Sequence, residues 1–131
     1  MQITLLKTYA EEFSLSPFTE EDINEDEVDF TIFTAIQEGE TDKFLIGFDL
    51  LIRVQRNNQF CTRYLAEFKS SEKITPELLD TNSFFHVNAP AIAYPFMRAF
   101  IATVLLNAGY EPPMLPAVNF QELYNIKRSS N

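Results

Sequence analysis

Four stretches of the chain alternate apolar and polar residues with period two, and the segments after them do not. From Ile3 to Leu15 the odd positions Ile3, Leu5, Lys7, Tyr9, Glu11, Phe13 and Leu15 form a mostly apolar set, whereas Thr4, Thr8, Glu12 and Ser14 are polar. Successive side chains of a strand point to opposite faces, so this is a half-buried strand, ended near Pro17. Val28 to Gln37, Phe44 to Val54 and Phe60 to Ser70 alternate in the same way, separated by the turn-like EGETD and RNNQ. They predict an antiparallel meander whose core face carries Phe30, Ile32, Phe44, Ile46, Phe48, Phe60 and Phe68 among others. The opposite face is mixed: Phe33, Leu45, Leu51 and Leu65 stand among Asp29, Asp49, Cys61, Arg63, Glu67 and Lys69. A wet sheet face normally carries charges, so these four apolar residues mark either a partly covered contact surface or scattered surface apolars.

After the strands the period changes. Thr75-Pro76-Glu77-Leu78-Leu79 offers a Thr cap and a proline at the first position, enough for one short helical turn. Pro95 to Ala108 has the length and proline-led start of a helix with one charge, Arg98, and it is stopped by Gly109 and then by Pro112 and Pro113. Asn119, with Glu122 three residues on, starts a last helix whose inner face holds Phe120, Leu123 and Tyr124. Lys127 and Arg128 suit its C-terminal end. The fold class is therefore α+β: a four-stranded antiparallel sheet with a long and a short C-terminal helix packed on one face, in a single domain over residues 1–131.

A helix apolar on every side must be covered on every side. The sheet covers one flank of the 95–108 helix, and a second copy related by a two-fold axis is the economical cover for what remains. Met97, Ile101, Val104 and Leu105 are the expected interface, on the face opposite Phe96, Phe100 and Thr103. The longest uncharged apolar run there, Ala99 to Leu106, is far short of the ~20 residues a membrane span requires, so no crossing is expected.

Composition narrows the partners. Nineteen acids against ten bases give a net charge of −9, which repels phosphate backbones and anionic headgroups, so nucleic acid and membrane surfaces are poor partners. Residues 20 to 29, EEDINEDEVD, hold seven acids and no base and read as a solvated connection, or as a docking site for a basic partner. A single cysteine and no secretion signal at the N-terminus point to a reducing compartment, the cytoplasm.

Catalysis has little to stand on. His86 lies in FFHVN, and pairing it with Cys61 would need the fold to join them and a third group to orient the imidazole. Three glycines cannot build a nucleotide cradle, no Cys/His pair has zinc spacing, and no cofactor is expected. What exceeds an ordinary core is the aromatic and apolar surplus beside prolines: Phe84, Phe85, Tyr94, Phe96, Tyr110, Met114 and Leu115. Prolines hold their flanks extended, and aromatics with an adaptable Met suit a groove for extended apolar peptides, although core packing accounts for any single one of them.

At these residues the chain resembles the SecB family of protein-export chaperones. Tyr94-Pro95-Phe96-Met97-Arg98 is similar to the family's aromatic-Pro-aromatic-x-Arg helix start, and Pro116-Ala117-Val118-Asn119-Phe120-Gln121-Glu122-Leu123 to its Pro-Val-Asn-Phe-Asp-x-Leu. The resemblance implies dimers pairing through the long helix into a tetramer, ATP-independent binding of unfolded precursors in apolar grooves, and transfer to the SecA motor. It also implies a motor contact at Glu12, Leu65 and Glu67, since Leu65-Ala66-Glu67 matches the family's Leu-Cys-Glu on the outer sheet face. Two departures stand out. The sequence ends at Lys127-Arg128-Ser129-Ser130-Asn131, where the family typically adds an acidic tail for the motor's zinc domain, so that contact is expected to be absent; the 20–29 connection also lacks the family's tryptophan. A relative adapted to another task, such as an adaptor for one folded or antitoxin-like partner, is the alternative expectation.

Overall fold

The computed structural model describes residues 1–18, 28–37, 39 and 41–129. Strands β1 (Ile3–Pro17), β2 (Val28–Ile36), β3 (Lys43–Val54) and β4 (Asn58–Ser70) form one antiparallel sheet in the order β1-β4-β3-β2. Helices α1 (Pro76–Thr81), α2 (Ala89–Asn107) and α3 (Phe120–Ser129) follow, and a π-turn, Phe84–Asn88, runs directly into α2. This is the expected α+β architecture. Most of the acidic connection, residues 20–27, lies outside the described residues.

The β2–β3 register is unbroken from Val28↔Ile52 to Ile36↔Phe44, and β3–β4 closes through Arg56 and Asn57, both at positive φ (63° and 57°), the twist a tight hairpin needs. β1 departs from simple alternation. Its pairing with β4 shifts between Leu5 and Lys7 and again between Ala10 and Glu12. One extra residue in a strand turns every following side chain to the other face. Between the two bulges Lys7 and Tyr9 therefore lie on the outer face opposite Glu67 and Leu65, while Thr8 turns inward, where its hydroxyl accepts from the Tyr64 phenol at 2.8 Å. After the second bulge Glu12 is outside, opposite Arg63, and Phe13 and Leu15 return to the inner face. The bulges keep Lys7 out of the core.

The helix ends follow the caps read from sequence. Thr75 accepts from the Leu78 N–H (3.1 Å) and Asn119 from the Glu122 N–H (3.0 Å). Gly109, at φ 88°, closes α2, with the Gly109 and Tyr110 N–H groups donating to Leu106 and Leu105. The start of α2 differs from expectation. Pro95 is not its first residue but lies inside it, with Pro90 in the first turn. Pro95 cannot donate to the carbonyl of Ala91, yet both residues are exposed, so water meets that carbonyl and the helix continues. Together with the π-turn, 24 residues from Phe84 to Asn107 are long and apolar enough to cross a membrane by length and composition. Ala93, Tyr94, Met97, Ile101 and Leu105 are instead buried in the packed core, which accounts for much of that apolar length.

Much of the aromatic surplus is core. Phe44 stacks flat on Phe68 (5.2 Å between ring centres) and meets the edge of Phe85 (4.7 Å). Tyr94 sets its ring against Phe30, Phe48 and Phe120, and its hydroxyl donates to the Pro116 carbonyl at 2.8 Å. Burial raises the Tyr94 phenol above its ordinary range, with the Arg98 charge opposing.

A candidate polypeptide groove on the edge of the sheet

Among the described residues β2 is an edge strand, paired only with β3. Along its other side runs a groove of about 610 Å³ that touches five consecutive residues, Phe30 to Thr34. Consecutive strand residues face opposite ways, so a cavity that meets all five follows the strand's open edge. That edge offers backbone donors and acceptors as well as side chains. The facing wall is built from Leu79 and Asp80 of α1, Phe85 and His86 of the π-turn, and Leu123, Tyr124 and Lys127 of α3. Leu123 remains 43% exposed, whereas Phe85 is fully covered and forms the floor.

His86 stands at the centre of that wall. Its Nε2 lies 2.8 Å from the Leu79 carbonyl, and a carbonyl only accepts, so Nε2 carries the hydrogen. Its ring lies flat against Tyr124, 4.8 Å away and 7° from parallel. Tyr124 donates to the Thr81 carbonyl (3.2 Å), and the Arg128 guanidinium lies over its ring at 5.3 Å.

A second cleft, of about 440 Å³, separates α2 from the proline-rich link. It is lined by Pro95, Arg98 and Ala102 on the helix and by Pro112 to Leu115 on the link. The link is pinned where the β3–β4 hairpin reaches it: Arg56 donates to the Gly109 carbonyl (3.1 Å) and covers the Tyr110 ring, and Asn58 donates to the Tyr110 hydroxyl (2.6 Å).

The expected peptide-contact residues divide. Phe85, Tyr94, Tyr110 and Leu115 are buried at 7% exposure or less, Phe84 is half-buried, and only Phe96 (48%) and Met114 (98%) stand open. Of the seven, Phe85 lines the β2 groove, and Met114 and Leu115 line the second cleft. The residues expected at a subunit interface lie mostly inward. Met97, Ile101 and Leu105 are at most 1% exposed within their own chain, and Val104 packs beside them. Of the four, Val104 alone keeps partial exposure. The open apolar residues on α2 are Ile92, Phe96 and Leu106. Phe100, one turn after Phe96, meets Phe13 of β1, which puts this flank on the β1 side.

On the outer sheet face Glu12 is exposed, but Leu65 is only 5% exposed and the Glu67 side chain is 13% exposed, with Lys7 Nζ at 3.6 Å. The Phe33 ring lies over Gly47, so close that a Cβ there would collide with it, and Arg63 sits between that ring (5.0 Å) and a two-pronged hydrogen bond to Asp49 (2.7 and 2.9 Å). Cys61 belongs to this outer face, opposite Leu51, and His86 to the helix side, so the two form no dyad. Burial pushes the Cys61 thiol up; nearby Arg53 opposes this and Glu12 adds to it.

Sequence reasoning missed Leu79, Leu123 and Tyr124 as groove residues. Their inward positions on α1 and α3 were readable, but that they face an open strand edge depends on β2 ending outermost, which alternation alone does not encode.

Comparison with known proteins bears on the whole chain. Residues 1–131 match the family model described as preprotein translocase subunit SecB. The protein-export protein SecB of Anaplasma phagocytophilum is 32% identical over 69 residues, covering 53% of this chain and 44% of the relative. That of Methylibium petroleiphilum is 34% identical over 50 residues, covering 38% and 31%. These matches span less than half of each relative. Among solved structures, a Mycobacterium tuberculosis SecB-like chaperone in complex with a ChAD peptide from an antitoxin superimposes with TM-score 0.65 at 11% identity, covering 88% of this chain and 87% of that one.

Proposed function

The chain belongs to the SecB family, and from that premise we propose that it is an ATP-independent holdase in the cytoplasm that takes up non-native polypeptide in extended form along β2. The observation that carries this reading is the groove's contact with five consecutive β2 residues. An extended segment laid there adds a strand to the sheet: its backbone pairs with the open edge, and alternate side chains enter the apolar wall of Leu79, Phe85 and Leu123. Backbone pairing is indifferent to sequence, and Leu79 and Leu123 favour apolar side chains of any shape, a combination suited to many clients. Met114 and the cleft beside it offer a second apolar contact for a longer client.

Ile92, Phe96 and Leu106, with Phe13 and Leu15 of β1, form the exposed apolar flank that a second copy would cover in a homo-oligomer. Of the expected motor contacts Glu12, Leu65 and Glu67, Glu12 is the one left open for a SecA-like motor.

The test is suppression of aggregation of a thermally unfolding enzyme without nucleotide. Suppression should saturate near one oligomer per client, and unchanged aggregation at excess protein would end the reading. A second reading is favoured by the antitoxin peptide held by the structural neighbour: an adaptor for one antitoxin-like partner. Capture from a lysate separates the two, since a holdase retains many unfolded proteins and an adaptor retains one.

A further inference from the structure

His86 is the chain's single histidine, and it sits in a segment where the helical backbone widens. In the π-turn the Ala89 N–H reaches back to the Phe84 carbonyl, and such turns recur at functional sites. The turn sends Phe85 into the core, while His86, the next residue, remains half-buried at the groove. There His86 joins three elements: its own turn, α1 through the Leu79 carbonyl, and α3 through the Tyr124 ring. Tyr124 closes the circuit by donating to Thr81 at the end of α1. Phe120 and Tyr124 are the buried side chains of α3, so this stack holds one of the two, and the link before it contains Pro112, Pro113 and Pro116 and no regular element.

We infer that His86 is the positioning residue of the polypeptide groove, fixing α3 at the distance from β2 that an extended chain requires. The inference rests on the reading of the groove as a polypeptide site and assigns that site's width to one side chain. The imidazole does two things together that no other side chain of its size does: it donates a hydrogen bond to α1 and stacks flat on α3. Loss of either frees α3 to move as a unit about its proline-rich link while the sheet stays intact.

Three variants of the full chain separate these roles, with fluorophore-labelled, reduced and carboxymethylated α-lactalbumin as the probe. His86→Ala removes both contacts and is expected to weaken binding about tenfold, whereas His86→Phe keeps the ring, His86→Gln keeps a donor, and each loses roughly threefold. Hydrogen exchange supplies the readout that general destabilisation does not imitate: in His86→Ala the α3 amides should exchange faster while those of β3 and β4 keep their protection. Unaltered affinity in all three variants overturns the inference, and so does loss of protection across β3 and β4 together with α3. If the unsubstituted protein itself does not bind the probe, the holdase reading fails, and the α3 exchange in His86→Ala still decides whether His86 holds that helix.

Discussion

The two edge strands of the sheet are built to opposite specifications. β1 carries two bulges, at Leu6 and Glu11, with Lys7, Glu11 and Glu12 on or beside them. β2 pairs with β3 in unbroken register over nine residues and contains one charge, Asp29. Bulges and charges blunt an edge against further strand pairing, and a regular uncharged edge invites it. One sheet thus protects one margin and leaves the other as a template, which is where the groove lies. An open edge is a hazard in most proteins; beside a wall of apolar side chains it is where the proposed client segment would pair.

The sharpest way to break this contrast is to remove the groove floor. Phe85→Ala should cost about 3–5 kcal/mol, because it empties a fully buried ring site against Phe44. Urea unfolding measures it, and a loss below about 1 kcal/mol would mean that the groove wall is not tied to the core. A paired experiment tests the edges against each other. Leu123→Asp, at a 43% exposed position on the β2 side, should weaken binding of an unfolded polypeptide more than about tenfold while stability changes by no more than about 0.5 kcal/mol. Phe13→Ser, at a 56% exposed position on β1, should leave that affinity in place and reduce self-association in sedimentation. Equal effects on affinity from both would erase the distinction. The smallest effect is chemical. Cys61 faces Ser14 of β1 just beyond the second bulge, and burial holds its thiol above the usual range. Its reaction with a disulfide reagent at neutral pH should be slower than that of a free thiol, with the thiolate forming only as pH rises past that range. A free-thiol rate would show that this end of β1 frays.

Much of this was legible before the structure. Alternation in residues 28–70 gives the meander and its core face, and Thr75, Gly109 and Asn119 mark helix boundaries because capping is local chemistry. Three features were not. Alternation assumes a constant parity, and the bulges in β1 change it twice, so Thr8 and Tyr9 exchange faces. Pro95 reads as a helix start, yet a proline on the water side of a helix is tolerated inside it. Tyr94 and Phe85 read as surplus, because sequence counts aromatics without showing how many a sheet with Phe44, Phe48, Phe60 and Phe68 on one face absorbs. Met97, Ile101 and Leu105, read as an interface, are covered by their own chain for the same reason: an apolar stripe declares that it is covered and not by whom.

The strand order has a consequence for how the molecule assembles. β2, β3 and β4 follow one another through short connections, but β1 meets its only strand partner, β4, across the entire intervening meander. Contacts that distant in sequence form slowly, since the chain between them must be ordered before they are made. β1, though ahead of its partners in sequence, is therefore the last to dock, and until it does β4 is itself an open margin. A protein proposed to guard unfinished chains passes through a stage in which its own sheet is unfinished, and the charges of Lys7, Glu11 and Glu12 on β1 disfavour pairing of the waiting strand elsewhere.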